Sequence, residues 1–335
     1  MDRNFTLAAL DNAASLVYQF IGPTPQYCWP SLCEALGTEL WVKHENHTPT
    51  GAFKVRGGIT FIDWLRREHP AISGVVSATR GNHGQSIARA ATAAGLDVDI
   101  VVPFGNAIEK NHAMKHFGAN LIEFGQDFDE ARLESVRRAK ERGFFHVPPY
   151  HEALVQGVAS YALELFRSVD DLDTVYVPIG CGSGICGVIK ARDALGLATR
   201  IVGVVSTEAD AALRAFASGQ KERSQSANTI ADGMAVREVV PEALAIYRTG
   251  ADRVISVSDE EVAEAMRLYF THTHNVSEGA GAAPLAAAMQ EKALHKGKKL
   301  AVILCGGNVD SVVFRDVLGG LTPRPGGPVP KLGTD

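Results

Sequence analysis

Short apolar runs rich in β-branched residues alternate along the chain with longer amphipathic stretches. Six runs predict β-strands, at residues 74–79, 97–103, 174–179, 200–206, 253–257 and 299–305. Residues 81–95 and 259–270 carry apolar side chains at helical spacing, and the second stretch opens with acidic residues that favour a helix N-terminus. Strands that alternate with helices are typical of parallel sheets with helices on both faces, so we predict an α/β fold.

Two features of the chain predict more than one domain. Its 335 residues fit about two domains, which would form a cleft between them. The segment HVPPY, residues 146–150, contains two prolines and marks a candidate crossing between lobes. We predict a small domain over residues 74–149, a large domain from residues 1–73 plus 150–320, and a flexible tail over residues 321–335.

Composition and charge exclude several classes of partner. The net charge is −5 and the 33 basic residues are scattered, so nucleic acid is not an expected partner. No apolar run approaches the roughly 20 residues that span a bilayer, and the N-terminus lacks the pattern of a secretion signal. The five cysteines form no CxxC pair, which favours free thiols in a reducing compartment. We therefore expect a cytoplasmic protein without membrane contact.

The segment TGAFKVRGG, residues 50–58, places Lys54 directly after an aromatic residue and among glycines. Glycines allow a backbone to approach a bulky ligand, and the ring of Phe53 can lie against a planar group. An ordinary solvated lysine fits this segment equally well. Lys54 is thus a candidate cofactor-binding residue whose assignment depends on other segments.

Two predicted strands end in turns that suit anions. RGNHGQS, residues 80–86, follows the first of them, and its backbone N–H groups, the Asn82 amide and the His83 ring suit a carboxylate or phenolate. VPIGCGSGICG, residues 177–187, brings converging N–H groups to a helix N-terminus, where they suit a phosphate. Its spacing is neither GxxxxGK[ST] nor the dinucleotide fingerprint, which favours a small phosphorylated ligand. Glycine and asparagine are also common in ordinary turns.

A third strand end, in VILCGGNVD at residues 302–310, brings Cys305 to a double glycine. A thiol at this position can face the edge of a ligand, although a lone cysteine in an apolar strand is by default core packing. A lysine beside an aromatic ring, a glycine cup, a polar loop and a polar strand end together describe a site for pyridoxal phosphate. Lys54 would hold the aldehyde of this cofactor as a Schiff base.

From about residue 15 to 318 the chain resembles the fold type II pyridoxal phosphate enzymes of the serine and threonine dehydratase family, because the four segments match in order and spacing. The resemblance implies a tryptophan synthase β-like fold, with two doubly wound parallel-sheet lobes and the cofactor in the cleft between them. It also implies the catalytic domain alone, without the regulatory domain of the biosynthetic threonine deaminases. A homodimer is expected.

The resemblance assigns a role to each cofactor residue. Lys54 corresponds to the Schiff-base lysine, Phe53 to the aromatic that stacks on the ring, and Asn82 to the partner of the phenolic oxygen. Cys305 corresponds to the partner of the pyridine nitrogen, and Glu278, in SEGAG, to an acidic residue near the cofactor. The phosphate cup corresponds to Gly180, Cys181, Gly182, Ser183 and Gly184. The predicted substrate-binding residues are Thr79, Arg80, Gly81, Asn82, His83 and Tyr150.

The function that the resemblance implies is β-elimination from an L-3-hydroxy amino acid of the threonine or serine, phenylserine or 3-hydroxyaspartate type. Lys54, freed by the substrate amine, would take the α proton. The β-hydroxyl would leave, and hydrolysis would give a 2-oxo acid and ammonia. Alternatives are an amino-acid racemase or a β-replacement synthase on the same fold, or a non-catalytic protein that binds an amino acid or the cofactor.

Two departures from the family pattern narrow these possibilities. Arg80 stands where the racemases carry a serine that returns a proton, and a guanidinium that stays protonated is a poor proton shuttle. Val205 and Ala211 stand where the metal-dependent branch places carboxylate ligands, so no metal site is expected. Arg80 also leaves the substrate side chain open, because it suits either an acidic or an aromatic substituent.

Overall fold

The structure is a computed structural model that describes residues 3–324. Most of the predicted flexible tail, residues 325–335 of the range 321–335, lies outside the described residues.

Within the described residues the chain forms thirteen α-helices and ten strands. The helices are α1 (Leu7–Tyr18), α2 (Pro30–Leu36), α3 (Lys54–Glu68), α4 (Asn82–Ala93), α5 (Ile108–His116), α6 (Phe128–Arg142), α7 (Glu152–Ser168), α8 (Ser183–Ala194), α9 (Ala211–Ser218), α10 (Pro241–Gly250), α11 (Asp259–Thr273), α12 (Gly279–Gln290) and α13 (Ser311–Leu318). The strands are β1 (Gln26–Cys28), β2 (Glu39–His44), β3 (Gly74–Ala78), β4 (Asp97–Val102), β5 (Asn120–Glu123), β6 (Phe145–His146), β7 (Thr174–Pro178), β8 (Arg200–Ser206), β9 (Arg253–Val257) and β10 (Lys299–Leu304).

The strands form two sheets. A six-stranded sheet has the order β1-β2-β10-β7-β8-β9, in which only β1 is antiparallel to its neighbour. A four-stranded sheet has the order β5-β4-β3-β6 and is parallel throughout. The predicted α/β fold with two parallel-sheet lobes is therefore confirmed.

Helices cover both faces of the smaller sheet, as the sequence pattern predicts for parallel strands. Neighbouring residues of β3 point into separate cores. Val75 packs in one cluster with Ile87 and Leu65 of the flanking helices. Val76 packs in another cluster with residues of α6, including Ala131. The uninterrupted apolar runs of the central strands follow from this burial on both faces.

The six predicted strands and both predicted helices are present, with ends that differ by at most three residues. α11 begins where the acidic residues predicted, because Ser258 and Glu261 form a reciprocal cap. The Ser258 hydroxyl accepts from the Glu261 N–H at 3.2 Å, and the Glu261 carboxylate accepts from the Ser258 N–H at 2.7 Å.

Four strands were not predicted, and their sequences show why. β2 carries Lys43 and His44, which are fully buried although their side chains are polar. β5 is short and has exposed ends, and β1 and β6 contain three and two residues. A pattern of apolar residues cannot identify such strands.

The four strands of the smaller sheet all lie within residues 74–149, the range predicted for the small domain. The domain boundaries themselves remain a prediction. Among the helices between residues 3 and 324, none has the length and apolar character needed to cross a membrane.

Candidate active site

The turn before α3 lies against the end of β10, which brings Lys54 and Cys305 to one place. The Phe53 N–H donates to the Cys305 carbonyl at 3.0 Å, and the Gly307 N–H donates to the Gly51 carbonyl at 2.9 Å. Lys54 is the first residue of α3, and its Nζ lies 5.0 Å from the centre of the Phe53 ring. Hydrogen bonds between two distant segments thus fix the position of the predicted cofactor lysine.

Residues 180–184, which we call the glycine cup, connect β7 to α8 through a turn that only small residues can form. Gly182 has a φ of +99°, and a Cβ built there would lie 2.5 Å from the Cβ of Ala243. A Cβ at Gly180 would lie 2.3 Å from the Gly233 carbonyl oxygen. The first N–H groups of α8 have no backbone acceptor among the described residues, so they can bind an anion.

The glycine cup, Lys54 and Cys305 line one cavity of about 380 Å³, which we call the cup cavity. Every predicted cofactor residue lines it: Phe53, Lys54, Asn82, Gly180, Cys181, Gly182, Ser183, Gly184, Glu278 and Cys305. Sequence analysis did not single out Pro178, Gly233, Met234 and Ala280, which complete its wall. These four residues carry no titratable side chain and therefore gave no chemical signal.

The cup cavity fits pyridoxal phosphate. Free N–H groups at the start of α8 suit its phosphate, and the Lys54 amine suits its aldehyde. The thiol of Cys305 is buried, and burial and the charge of Glu278 raise its pKa well above the usual value. A neutral thiol at this position suits an uncharged ring nitrogen.

Asn82 is held by side chains on both sides. Its amide nitrogen donates to Glu278 Oε1 at 2.6 Å, and its Oδ1 accepts from Asn308 Nδ2 at 2.8 Å. Asn308 also donates to the Thr50 carbonyl at 2.7 Å. One of the two amide hydrogens of Asn82 is therefore used by Glu278, and the other is available to a ligand.

Glu278 is 2% exposed and accepts a further hydrogen bond from Lys110 Nζ at 3.3 Å. Burial raises the pKa of its carboxyl group, Lys110 opposes this, and Asp232 raises the pKa again. Lys110 also binds Asp232 at 2.5 Å. Sequence analysis missed Lys110 and Asp232, because a charged residue on a helix and another in a loop gave no signal that they meet.

A second cavity, of about 650 Å³, adjoins the first and is lined by residues 79–83, so we call it the loop cavity. Lys54, Asn82, Cys181 and Gly233 line both cavities. Thr79 orders the loop, because its Oγ1 accepts from the Gly81 N–H at 2.9 Å and from the Gly84 N–H at 3.3 Å. The structure thus brings together the predicted substrate residues Thr79, Arg80, Gly81, Asn82 and His83.

Two side chains of the loop cavity differ in their state of charge. Burial, together with the charges of Lys54 and His146, lowers the pKa of His83 to about 3, so its ring is neutral. Its Nε2 has no hydrogen-bond partner among the described residues. Arg80 is exposed, and no acidic side chain within residues 3–324 forms an ion pair with it. The cavity therefore presents a buried neutral ring and a free guanidinium.

Tyr150 lines neither cavity, although sequence analysis placed it on the substrate side. It is half-buried against the core of the larger sheet, with its hydroxyl near the buried thiol of Cys186. The neighbouring Pro149 lines the loop cavity instead. The crossing between the sheets thus contributes a proline and directs the tyrosine into the core.

A buried ion network behind Lys54 was also missed. Arg56, with no exposed surface, binds Glu45 at 2.7 Å and Glu164 at 2.6 Å. Lys43 binds Glu164 at 2.6 Å. These bonds connect the first turn of α3 to three other parts of the chain: Lys43 lies in β2, Glu45 lies in the turn after β2, and Glu164 lies in α7. The network lines neither cavity and fixes the helix that carries Lys54.

Comparisons with known proteins agree with this geometry. The family model described as pyridoxal-phosphate dependent enzyme matches residues 17–306. An L-threonine ammonia-lyase from Thermotoga maritima is 32% identical over 280 residues, which cover 83% of this chain and 69% of that protein. An L-threo-3-hydroxyaspartate ammonia-lyase from Saccharomyces cerevisiae is 30% identical over 315 residues, which cover 94% of this chain and 96% of that protein. The structure of maize serine racemase has a TM-score of 0.87 at 29% identity and covers 94% of this chain and 97% of its own.

Proposed function

Because the chain belongs to the family of pyridoxal-phosphate dependent enzymes, we propose that it is a dehydratase, or ammonia-lyase, acting on an L-3-hydroxy amino acid. The products are a 2-oxo acid and ammonia. The observation that carries the proposal is the position of Lys54, whose side chain lines both cavities. A base at this position reaches a group held in either of them.

The residues of the cup cavity bind and tune the cofactor. When bound, pyridoxal phosphate supplies an aldehyde for amines and a ring that accepts the electron pair left after removal of an α proton. The N–H groups of the glycine cup hold the phosphate, and Asn82 donates its second amide hydrogen. Cys305, which lines the cup cavity as a neutral thiol, would face the ring of the bound cofactor and would add no positive charge to it. This favours prompt loss of the β-hydroxyl over transamination.

The residues of the loop cavity orient the substrate. The loop at residues 79–83 offers backbone N–H groups at the start of α4 to the substrate carboxylate. Ser86 connects the same helix to Lys54, because its hydroxyl donates to the Lys54 carbonyl at 2.6 Å. The α carbon of a bound amino acid would therefore be held near the Lys54 amine, which removes its proton.

Arg80, Phe128, Pro149 and Val236 line the loop cavity but not the cup cavity, so these residues would face the substrate side chain. A free guanidinium suits a carboxylate, whereas the apolar residues together with the guanidinium suit an aromatic ring. Threonine, phenylserine and 3-hydroxyaspartate therefore all remain candidate substrates.

A screen of 3-hydroxy amino acids tests the proposal. The cofactor-loaded protein is incubated with serine, threonine, phenylserine and 3-hydroxyaspartate in their stereoisomeric forms, and ammonia and 2-oxo acid are measured. The Lys54→Ala protein serves as the control. Equal amounts of both products from at least one substrate support the proposal. A D-amino acid or a sulfur adduct without 2-oxo acid would indicate a racemase or a synthase. If the protein has no visible absorption band that borohydride removes, the cofactor assignment is refuted.

We also propose that the chain forms a homodimer in the cytoplasm. Two exposed aromatic side chains support an association surface: Tyr18 is the last residue of α1, and Phe20 follows the helix. The five cysteines are free, which supports a reducing compartment. Light scattering coupled to size-exclusion chromatography gives the mass in solution, and a monomer at micromolar concentration would contradict the dimer.

A further inference from the structure

Lys110 connects parts of the chain that belong to different sheets. It lies on α5, which packs beside the four-stranded sheet, and it is 5% exposed. Its ammonium group lies between Asp232 at 2.5 Å and Glu278 at 3.3 Å, which lie outside residues 74–149. Burial lowers the pKa of Lys110, but the two carboxylates raise it above the usual value, so the lysine stays charged. One buried cation thus lies between the buried Glu278 and the partly exposed Asp232.

The two residues before Lys110 are connected to the other sheet as well. The Asp310 carboxylate accepts from the N–H groups of Ile108 at 3.2 Å and Glu109 at 3.3 Å. In return, the Glu109 carboxylate accepts from the Ser311 N–H at 2.8 Å and from its hydroxyl at 2.6 Å. The N-terminus of α5 is thus capped by Asp310, the residue just before α13, and the N-terminus of α13 is capped by Glu109 of α5. Three successive residues, 108–110, therefore hold α5 in place.

The stem of Lys110 also contacts the loop at residues 79–83. A Cβ at Gly81 would lie only 2.4 Å from Lys110 Cδ, so the two residues are in close contact. The next residue, Asn82, donates to Glu278 at 2.6 Å. Lys110 and Glu278 thus hold the loop from two sides and also bind each other. The residues that make these contacts line both cavities: Gly81 and Lys110 line the loop cavity, Glu278 lines the cup cavity, and Asn82 lines both.

Building on the proposed function, we propose that Lys110 is a positioning residue that fixes the loop at residues 79–83 and orients Glu278 and Asn82. It does so by neutralising one of the two carboxylates beside the substrate. Removing its charge leaves the carboxyl groups of Asp232 and Glu278 without a shared cation, so they repel each other or one of them takes up a proton, and the hydrogen bond from Asn82 to Glu278 loses its fixed acceptor. Lys110 touches no reacting atom in this proposal. It acts through Gly81, Asn82 and Glu278.

The Lys110→Met holoenzyme tests the proposal, with Lys115→Met as the matched control. Lys115 lies on the same helix but is exposed, and no ion pair involves it within the described residues. Three quantities are compared: hydrogen exchange over residues 79–86, cofactor affinity, and KM against kcat. We expect about tenfold faster exchange and about tenfold higher KM for Lys110→Met, with a smaller change in kcat and weaker cofactor binding. Lys115→Met should match the unmodified protein.

The proposal is overturned if Lys110→Met folds, binds the cofactor and equals Lys115→Met in exchange and KM. If Lys110→Met does not fold, Lys110→Gln replaces it, because a glutamine amide can still donate to the carboxylates while the charge is lost. Unchanged exchange over residues 79–86 in Lys110→Gln would then overturn the proposal. If no hydroxy amino acid is a substrate, the proposed function fails, but exchange and cofactor affinity still decide the role of Lys110.

Discussion

Two charge networks with buried cations lie near Lys54, and they differ in balance and in location. The Arg56 network has two cations, Arg56 and Lys43, and two anions, Glu45 and Glu164, and lies away from both cavities. The Lys110 network has one cation and two anions and forms part of the cavity walls. Buried charge alone therefore does not identify a functional site. In this protein the unbalanced network that faces the cavities is the one suited to respond to a ligand.

Replacement of Lys54, which lies between the two networks, has the largest expected effect on activity. We expect Lys54→Ala to lower turnover by at least about 10³-fold, because the variant lacks the amine that we propose as the base for the α proton. Cofactor should still bind, since the glycine cup is unchanged. Ammonia release and visible absorption are measured, with the exposed Lys140→Ala as the control. Turnover equal to that of the control would refute the mechanism.

Arg56→Met should reduce stability strongly and so sharpen the contrast between the networks. It leaves Glu45 and Glu164 buried without their main partner, which typically costs about 3–5 kcal/mol. The free energy of unfolding by denaturant measures this loss. Arg66→Met, at an exposed position on the same helix, is the control. Equal loss in the two variants would show that the Arg56 network does not stabilise the fold.

The pH dependence of stability should have opposite sign in the two networks. Burial raises the pKa of Glu164, but Arg56 and Lys43 more than reverse this and hold it below the usual 4.5. The stability that its charge provides is thus present above pH 4.5 and is lost as the pH falls through the lowered pKa. For Glu278, whose pKa is raised, the charged form costs stability above that pKa. Glu164→Gln should therefore lose more stability at pH 7 than at low pH. Glu278→Gln should lose less stability at pH 7 than at low pH.

Denaturant unfolding of both variants and the unmodified protein at pH 7 and below pH 4 gives these differences. The comparison uses differences between proteins at one pH, so other titrating groups cancel to a first approximation. The same direction of change in both variants would contradict the assignment of opposite signs.

Cys305→Ala has the smallest expected effect. In the proposed function the thiol would face the cofactor ring and would take no proton from the substrate, so we expect roughly tenfold slower turnover together with a shift of the visible absorption. Cys186→Ala is the control, because this thiol is buried outside both cavities. Complete loss of turnover with normal cofactor binding would show that Cys305 has a more direct role.

The sequence was sufficient to predict the fold class and ten of the fourteen residues that line the cup cavity. Each of these residues lies in a segment whose backbone requires a recognisable local sequence, such as the glycines between β7 and α8. A turn that excludes a Cβ leaves its mark at the position itself, so it can be identified from neighbouring residues alone.

The partners of the charged residues could not be predicted in this way. Lys110 and Asp232 are 122 residues apart, and Arg56 and Glu164 are 108 residues apart. Their pairing depends on how the helices pack and leaves no periodic pattern in the sequence. The same reason applies to Tyr150, because the direction of a side chain after two prolines depends on the core that it meets.

Cys181 lines both cavities, which affects how substrate preference can change by mutation. A larger side chain at this position would occupy space needed by the cofactor as well as by the substrate. Of the two cavities, Phe128, Pro149 and Val236 line the loop cavity alone. New specificities are therefore most accessible through these three positions, while position 181 restricts divergence because every change there affects two ligands at once.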